Sequence, residues 1–438
     1  MKKFFYLAIA TVATLASCSS DENIAAPEVA AEAAGDAVSF GVYTQTSRSA
    51  IENYGTVKKN GFGVFAFSQM TEDIASYTKQ NYMPDFMYNQ NVKYNESQSA
   101  WEYAPIKYWP NNPGAKLSFY AYAPYFEQFN NDVYVYTPES NDYSNEDSIV
   151  KDKNVRLILG YDAMGPAIEY TRSSVATEGV DLLWGADKKL VTTSTTPLIA
   201  PVNYEKQKVD EKIEFTFKHA MSRLFFNIQV FSDQKNIVGV DDNTQADNGL
   251  AENTKIVIQK VELIGNFANK GTLRLYDGTW KIEKGDYSNL VFEKGKGHFS
   301  QAVEDSLKLD DAKKEIDLLV GSGMENGKMK DPETDINNFV MVMPGASFYI
   351  QITYDVITTD PNNPKNSSKV TNVVKSTDTN VAFDPATGFE NNEAGKYKLE
   401  AGKAYNFHLN IGMTTVKFDA EVKDWEPFNQ EIALPENN

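Results

Sequence analysis

Three histidines, one cysteine and sixty carboxylates are the side chains of this 438-residue chain most able to carry chemistry. His219, His298 and His408 stand far apart, at neither helical nor CxxC-type ligand spacing, so no zinc set emerges. His219 falls on the apolar phase of its segment and reads as a core histidine. His408 falls on the polar face of "AYNFHLN" and reads as solvated. "GSGMENGK" (321–328) has the look of a phosphate loop but misses both the dinucleotide and the Walker spacing. "DDNTQADNG" (241–249) holds acids near calcium-loop spacing but lacks the sixth-position glycine. So many carboxylates must meet somewhere in space, yet nothing selects a glycosidase-type pair. The chain reads as a non-enzyme without metal or cofactor.

The lone cysteine is different, because its position is informative. Lys2 and Lys3 precede the apolar run "FFYLAIATVATLA", which is too short for a stop-transfer helix, and then comes "LASC". This resembles the lipobox of bacterial lipoproteins. The resemblance implies signal-peptidase cleavage between Ser17 and Cys18 and acylation of Cys18. One acyl chain holds marginally at about 0.8 kcal/mol per buried methylene, and two or more hold stably. Loss of Lys2 and Lys3 takes the formal charge from −18 to −20 and leaves no thiol for a disulfide. Asp21 and Glu22, just behind Cys18, resemble the acidic signal that sends some lipoproteins to the outer leaflet of the outer membrane.

Hydrophobic residues make up 42% and aromatics 12%, a composition that supports a buried core rather than disorder. The acidic balance repels phosphate backbones and argues against a nucleic-acid partner. Residues 18–37 are rich in alanine and acid, with no basic residue, and read as a solvated linker. From Val38 onward, short runs of Val, Ile, Phe, Tyr and Thr alternate with Gly, Pro, Asn and Asp clusters. "VSFGVYT", "GFGVFAFS", "KLSFYAYAPY", "KIEFTF", "RLFFNIQVF", "TKIVIQKVELI", "GTLRLY", "NFVMVM", "SFYIQITYDVIT", "AYNFHLNIG" and "TTVKFDAEVKDW" read as strands.

That count exceeds one sandwich, so the expectation is an all-β chain of two tandem β-sandwiches. They span 38–205 and 206–438, behind a signal peptide (1–17) and the linker (18–37). Polar stretches at 127–180, 232–253 and 359–395 read as surface loops. One phase slip stands out. The apolar positions are odd through Ile213, Phe215, Phe217 and Met221, then even from Leu224, so "HAMSR" must hold a bulge or a turn into a new strand. In "KLSFYAYAPY", Leu117, Phe119 and Ala121 alternate with Ser118, Tyr120 and Tyr122, which reads as one core face and one tyrosine-lined outer face. Such a face could also bind glycan.

Several of these segments, taken in order, are similar to the fimbrillin family, the lipoprotein precursors of type V pili. They are "NYMPDFMYNQNVKY", "WEYAPIKYWP" with "KLSFYAYAPY", "DLLWG", "FKHAMSRLFFNI", and "LEAGKAYNFHLNIG" leading to "VKDWEP". The resemblance implies two transthyretin-like sandwiches and partnership with other fimbrial subunits. It also implies removal of an N-terminal strand by a protease, here between Arg48 and Ser49, and its replacement by a neighbour's C-terminal strand. For that donor the best segment is 414–425, with Val416, Phe418, Ala420 and Val422 on one face. The same segment could instead be the last strand of the second sandwich. The other functional reading is a monomeric surface lipoprotein that binds a host or bacterial surface ligand.

Overall fold

The computed structural model describes residues 37–43, 57–58, 60–69, 84–126, 134–135, 155–162, 165–173, 179–206, 211–230, 254–282, 284–307, 316–319, 324–325, 328–329, 339–360, 362–376, 397–412 and 416–424. Ser17, Cys18, Arg48, Ser49 and the acidic segment 241–249 lie outside them.

The chain begins with β1 (Phe40–Val42), β2 (Phe62–Gln69), β3 (Met87–Asn95), β4 (Ala100–Glu102) and β5 (Lys116–Ala123). Next come β6 (Tyr134–Val135), β7 (Val155–Asp162), β8 (Gly165–Thr171) and β9 (Leu183–Asp187). A single-turn helix α1 (Lys188–Thr192) follows, N-capped by the Asp187 carboxylate. Then come β10 (Tyr204–Glu205) and β11 (Ile213–His219). These build a first sheet in the order β1-β11-β9-β5-β2-β3-β4, with β10 on β5.

The remainder begins with β12 (Ser222–Val230), β13 (Thr254–Ala268), β14 (Lys270–Arg274), β15 (Trp280–Ile282) and β16 (Tyr287–Glu293). After α2 (Gln301–Asp305) come β17 (Ile316–Asp317), β18 (Met324–Glu325), β19 (Lys328–Met329) and β20 (Phe339–Val342). The last strands are β21 (Ser347–Thr359), β22 (Ser367–Lys375), β23 (Tyr397–Lys398), β24 (Lys403–Ile411) and β25 (Val416–Asp424). Two five-stranded sheets, β17-β12-β24-β25 with β20 on β12 and β16-β13-β21-β22 with β23 on β21, enclose one core. Leu224, Phe226, Ile258, Phe292, Ile352 and Phe407 meet there. A further sheet, β15-β14-β8-β7-β6, draws strands from both halves of the sequence.

The all-β class agrees with the sequence. The loop assignments need correction: β6, β7 and β8 occupy part of the expected loop 127–180, and β22 lies within 359–395. β11 lies between β1 and β9 in the first sheet. The switch comes at "HAMSR", where the phase slip pointed. β11 ends at His219, Ala220 and Met221 are fully buried, and β12 pairs in parallel with β24. No loop separates β11 from β12, so one nearly continuous segment serves both halves.

The tyrosine face is a second correction. Tyr120 and Tyr122 are completely buried rather than solvent-facing. The β8–β14 sheet covers them with Ile168, Tyr170, Leu273 and Leu275. Gly63, facing Tyr122 across the β2–β5 ladder, makes room for that ring, since a Cβ there would lie 2.2 Å from it. Burial raises the Tyr122 hydroxyl well above the ordinary 10.0, and it donates to Asn89 Oδ1 at 2.7 Å. The opposite face of the first sheet carries a separate aromatic core, and β1 belongs to it.

Candidate functional site

In "VSFGV" the side chains alternate, so Val38, Phe40 and Val42 point one way. Val38 and Phe40 are each 2% exposed, although they sit at the very edge of a sheet. The Phe40 ring lies 5.3 Å from Tyr103, 5.9 Å from Phe119, 6.0 Å from Phe215 and 6.4 Å from Phe62, centre to centre. It stacks on Phe215 at 23° and meets Phe62 and Phe119 edge-on, the geometries that favour aromatic pairs.

Both edges of β1 are hydrogen-bonded. On one side it runs parallel to β11: the Ile213 N–H donates to the Ser39 carbonyl and the Tyr43 N–H to the Phe215 carbonyl, both at 2.9 Å. On the other side the Val38 N–H donates to the Lys107 carbonyl at 2.8 Å. The Tyr103 hydroxyl donates to the Val38 carbonyl at 2.6 Å, and Ala37 bridges to Tyr108. Burial raises the Tyr103 hydroxyl above its ordinary value. β1 is thus a three-residue plug between β11 and the segment 103–109. Tyr43, just beyond it, lies under Lys188, whose Nζ is 4.8 Å from the ring centre and ion-paired with Glu214.

Burying Val38 and Phe40 contributes a gross of about 3–6 kcal/mol at roughly 1.5–3 kcal/mol per large side chain. Ordering the chain costs roughly 1–2 kcal/mol per residue. A plug of this length is held by a small net balance. Its departure would uncover a slot walled by Phe62, Tyr103, Phe119 and Phe215.

The other expected element is β25. It pairs antiparallel with β24 along its whole length, from Lys403↔Asp424 to Ile411↔Val416. The register sets Val416, Phe418, Ala420 and Val422 opposite Ile411, Leu409, Phe407 and Tyr405, all of them core residues. In the single chain β25 is therefore the edge strand of its sheet. The structure does not bring β25 to β1, since the two lie on different sheets.

The histidines occupy structural positions. His219 is 8% exposed, with Nδ1 within 3.0 Å of Asp181 Oδ1. His298 Nδ1 accepts the Glu293 N–H at 3.0 Å, and His408 faces Asn227 across β12–β24. "GSGMENGK" contributes to the β18–β19 hairpin. Among the described residues, no three His, Cys, Asp or Glu side chains group as metal ligands, and no helix is long and apolar enough to cross a membrane. Sequence reasoning missed Tyr103, Lys107 and Phe215 as walls of the β1 slot. The aromatic density of "WEYAPIKYWP" was a signal, but its partner strand was not written beside it.

A fimbrillin-like family model matches residues 47–425. The chain belongs to the fimbrillin-like family. A crystal structure of a fimbrial protein from Bacteroides vulgatus has the same fold at 18% identity and TM-score 0.53, covering 89% of this chain and 99% of that one. A candidate cell adhesion protein from Bacteroides uniformis aligns at 12% identity and TM-score 0.37, over 89% of this chain and 97% of that one. One from Bacteroides ovatus aligns at 12% identity and TM-score 0.38, over 89% and 96%. No curated protein sequence matches significantly.

Proposed function

We propose that this fimbrillin-like chain is a structural subunit of a cell-surface fimbria that supports adhesion and assembles by strand exchange. It reaches the outer membrane as a lipoprotein acylated at Cys18. A protease then cuts between Arg48 and Ser49, and β1 leaves with the lipid-bearing segment. The vacated slot receives β25 of another copy, with Val416, Phe418, Ala420 and Val422 as its apolar anchors. Each contact joins two different surfaces, so repetition produces a filament rather than a closed ring.

The observation that carries this reading is the burial in the aromatic core of Phe40, on a strand only three residues long, and of Val38 just before it. Arg48 lies after β1 in sequence and before Val57, so a cut there severs the plug from the rest of the chain. An incoming β25 offers four apolar positions where β1 and the residues just before it bury Val38 and Phe40, a gross of roughly 5–10 kcal/mol before association costs. To donate, β25 must first peel from β24, so the paired state described above is the unassembled one. Burial of Tyr120 and Tyr122 removes the outer tyrosine face on which the glycan-binding alternative rested.

The test is N-terminal sequencing of protein recovered from the cell surface, with unboiled detergent gels alongside. Ser49 at the N-terminus, together with ladders that collapse on boiling, supports the proposal. A blocked N-terminus at Cys18 with only monomer on the gel refutes it.

A further inference from the structure

The slot and the proposed donor together carry information about direction, and the inference rests on the strand exchange proposed above. We infer that a second copy's β25 enters the slot antiparallel to β11, reversed relative to β1. Phe418 takes the place of Phe40, Lys417 lies beside Glu214, and Asp419 lies beside Lys212.

The register follows from shape. The slot accepts one ring at its centre, where Phe40 now sits among four aromatic neighbours. Phe418 is the one aromatic residue in β25, "VKFDAEVKD". It is flanked two residues away on either side by Val416 and Ala420, much as Phe40 is flanked by Val38 and Val42. Shape therefore fixes which residue sits at the centre but leaves both directions open.

Charge on the outer face decides between them. Gly41 pairs with Glu214 in the β1–β11 register, and one step earlier Ser39 lies beside Lys212. A Cβ at position 41 would stand 3.1 Å from Glu214 Cγ and 3.6 Å from its Oε1, so a side chain there runs directly along Glu214. Lys212 is exposed, and Glu214 is ion-paired with Lys188. β1 itself offers only Ser39 and Gly41 and leaves both charges unengaged from its side.

A β25 inserted in the direction of β1 would set Lys417 against Lys212 and Asp419 against Glu214, two like-charge pairs. Reversed, the same residues make two opposite-charge pairs, Asp419 with Lys212 and Lys417 with Glu214. Cross-strand neighbours of opposite charge stabilise and those of like charge destabilise. Backbone pairing does not choose between the directions, since reversal makes the contact with β11 antiparallel but turns the antiparallel bridge at Tyr108 parallel. Packing opposes this choice, since reversal places Ala420 where Val38 now sits and fills that end of the slot less fully. The two charge inversions outweigh the missing methyl groups.

Interchain disulfides read the direction. A strand rises about 3.3 Å per residue, so a shift of two residues moves a cysteine by about 6.6 Å, beyond easy bridging. Two full-length variants are compared, Lys212→Cys with Asp419→Cys and Lys212→Cys with Lys417→Cys. Each is recovered from the cell surface, mildly oxidised, and run boiled without reductant beside the parent chain. The inference expects covalent ladders from the 212/419 pair, at least about tenfold more abundant than from the 212/417 pair. Equal or dominant cross-linking through 212/417 overturns it. Unboiled ladders without either disulfide overturn this seating while leaving strand exchange standing. The absence of unboiled ladders in the parent chain removes strand exchange, and the direction with it.

Discussion

Replacing Phe40 by alanine should free β1 while leaving the rest of the molecule intact. The ring is 2% exposed and contacts four aromatic residues at 5.3–6.4 Å. Phe→Ala in a core typically costs about 3–5 kcal/mol. For an edge strand of three residues the cost has a ceiling. Once it exceeds the net free energy that holds β1, the strand detaches and no further stability is lost. The local opening equilibrium should thus shift by more than tenfold and by at most about two to three orders of magnitude, at tenfold per 1.4 kcal/mol, the ceiling being the net free energy that holds β1. Native-state hydrogen exchange reads this directly. The amides of Val38, Tyr43 and Ile213, which bond across β1, should lose that much protection. The amides of the β12–β24 ladder should hold theirs. A change below tenfold at Val38, Tyr43 and Ile213 would refute the claim that Phe40 is the anchor of β1.

Three further outcomes are expected. Tyr103→Phe removes the donor to the Val38 carbonyl at 2.6 Å and should cost about 1–2 kcal/mol, seen as roughly 5–30-fold faster exchange at the Val38 amide. Asp355 is 1% exposed; burial alone would raise its carboxyl, but bonds from Lys369 (2.7 Å), Thr371 (2.6 Å) and Gln259 (2.7 Å) outweigh this and hold it below 3.8. A depressed carboxylate stabilises the fold above its unfolded value and loses that contribution as pH falls through its folded one. Asp355→Asn should therefore cost about 1–3 kcal/mol in urea titrations near pH 7, and the gap to the parent should close below about pH 4. Arg172 donates from Nε to the Ala268 carbonyl at 3.3 Å and from Nη2 to Asn269 Oδ1 at 2.8 Å and to Ser288 Oγ, pinning the β13–β14 corner to the end of β8. Arg172→Met should destabilise by about 1–3 kcal/mol and split one calorimetric transition into two, whereas a single unshifted peak would count against that coupling.

Strands with strict alternation were legible because burial on one face imposes a period of two. The "HAMSR" slip was legible for the same reason, since a phase change has no other physical outlet. β22 was not. Its residues are mostly exposed, with Val370 at 59% and Val373 at 57%, so no alternation marks it and the ladder with β21 alone makes it a strand. β7 and β8 were hidden in a stretch whose polar composition resembles loop. The fate of Tyr120 and Tyr122 could not be read locally, because tyrosine suits a wet face and a covered one alike. What covers them comes partly from β14, some 150 residues further along the chain. The β1 slot was half legible: "VSFGV" announced the plug, while its walls come from β2, β5, β11 and Tyr103.

The central claim is that the first sheet can trade its edge plug for a strand from another molecule. Limited cleavage of the purified full-length chain after Arg48, followed by detergent gels without boiling, tests it most directly. Release of the fragment ending at Arg48, with a ladder of multimers appearing on the same timescale, is the predicted result. A cut chain that keeps its β1 fragment bound and runs as a monomer at every concentration would contradict it.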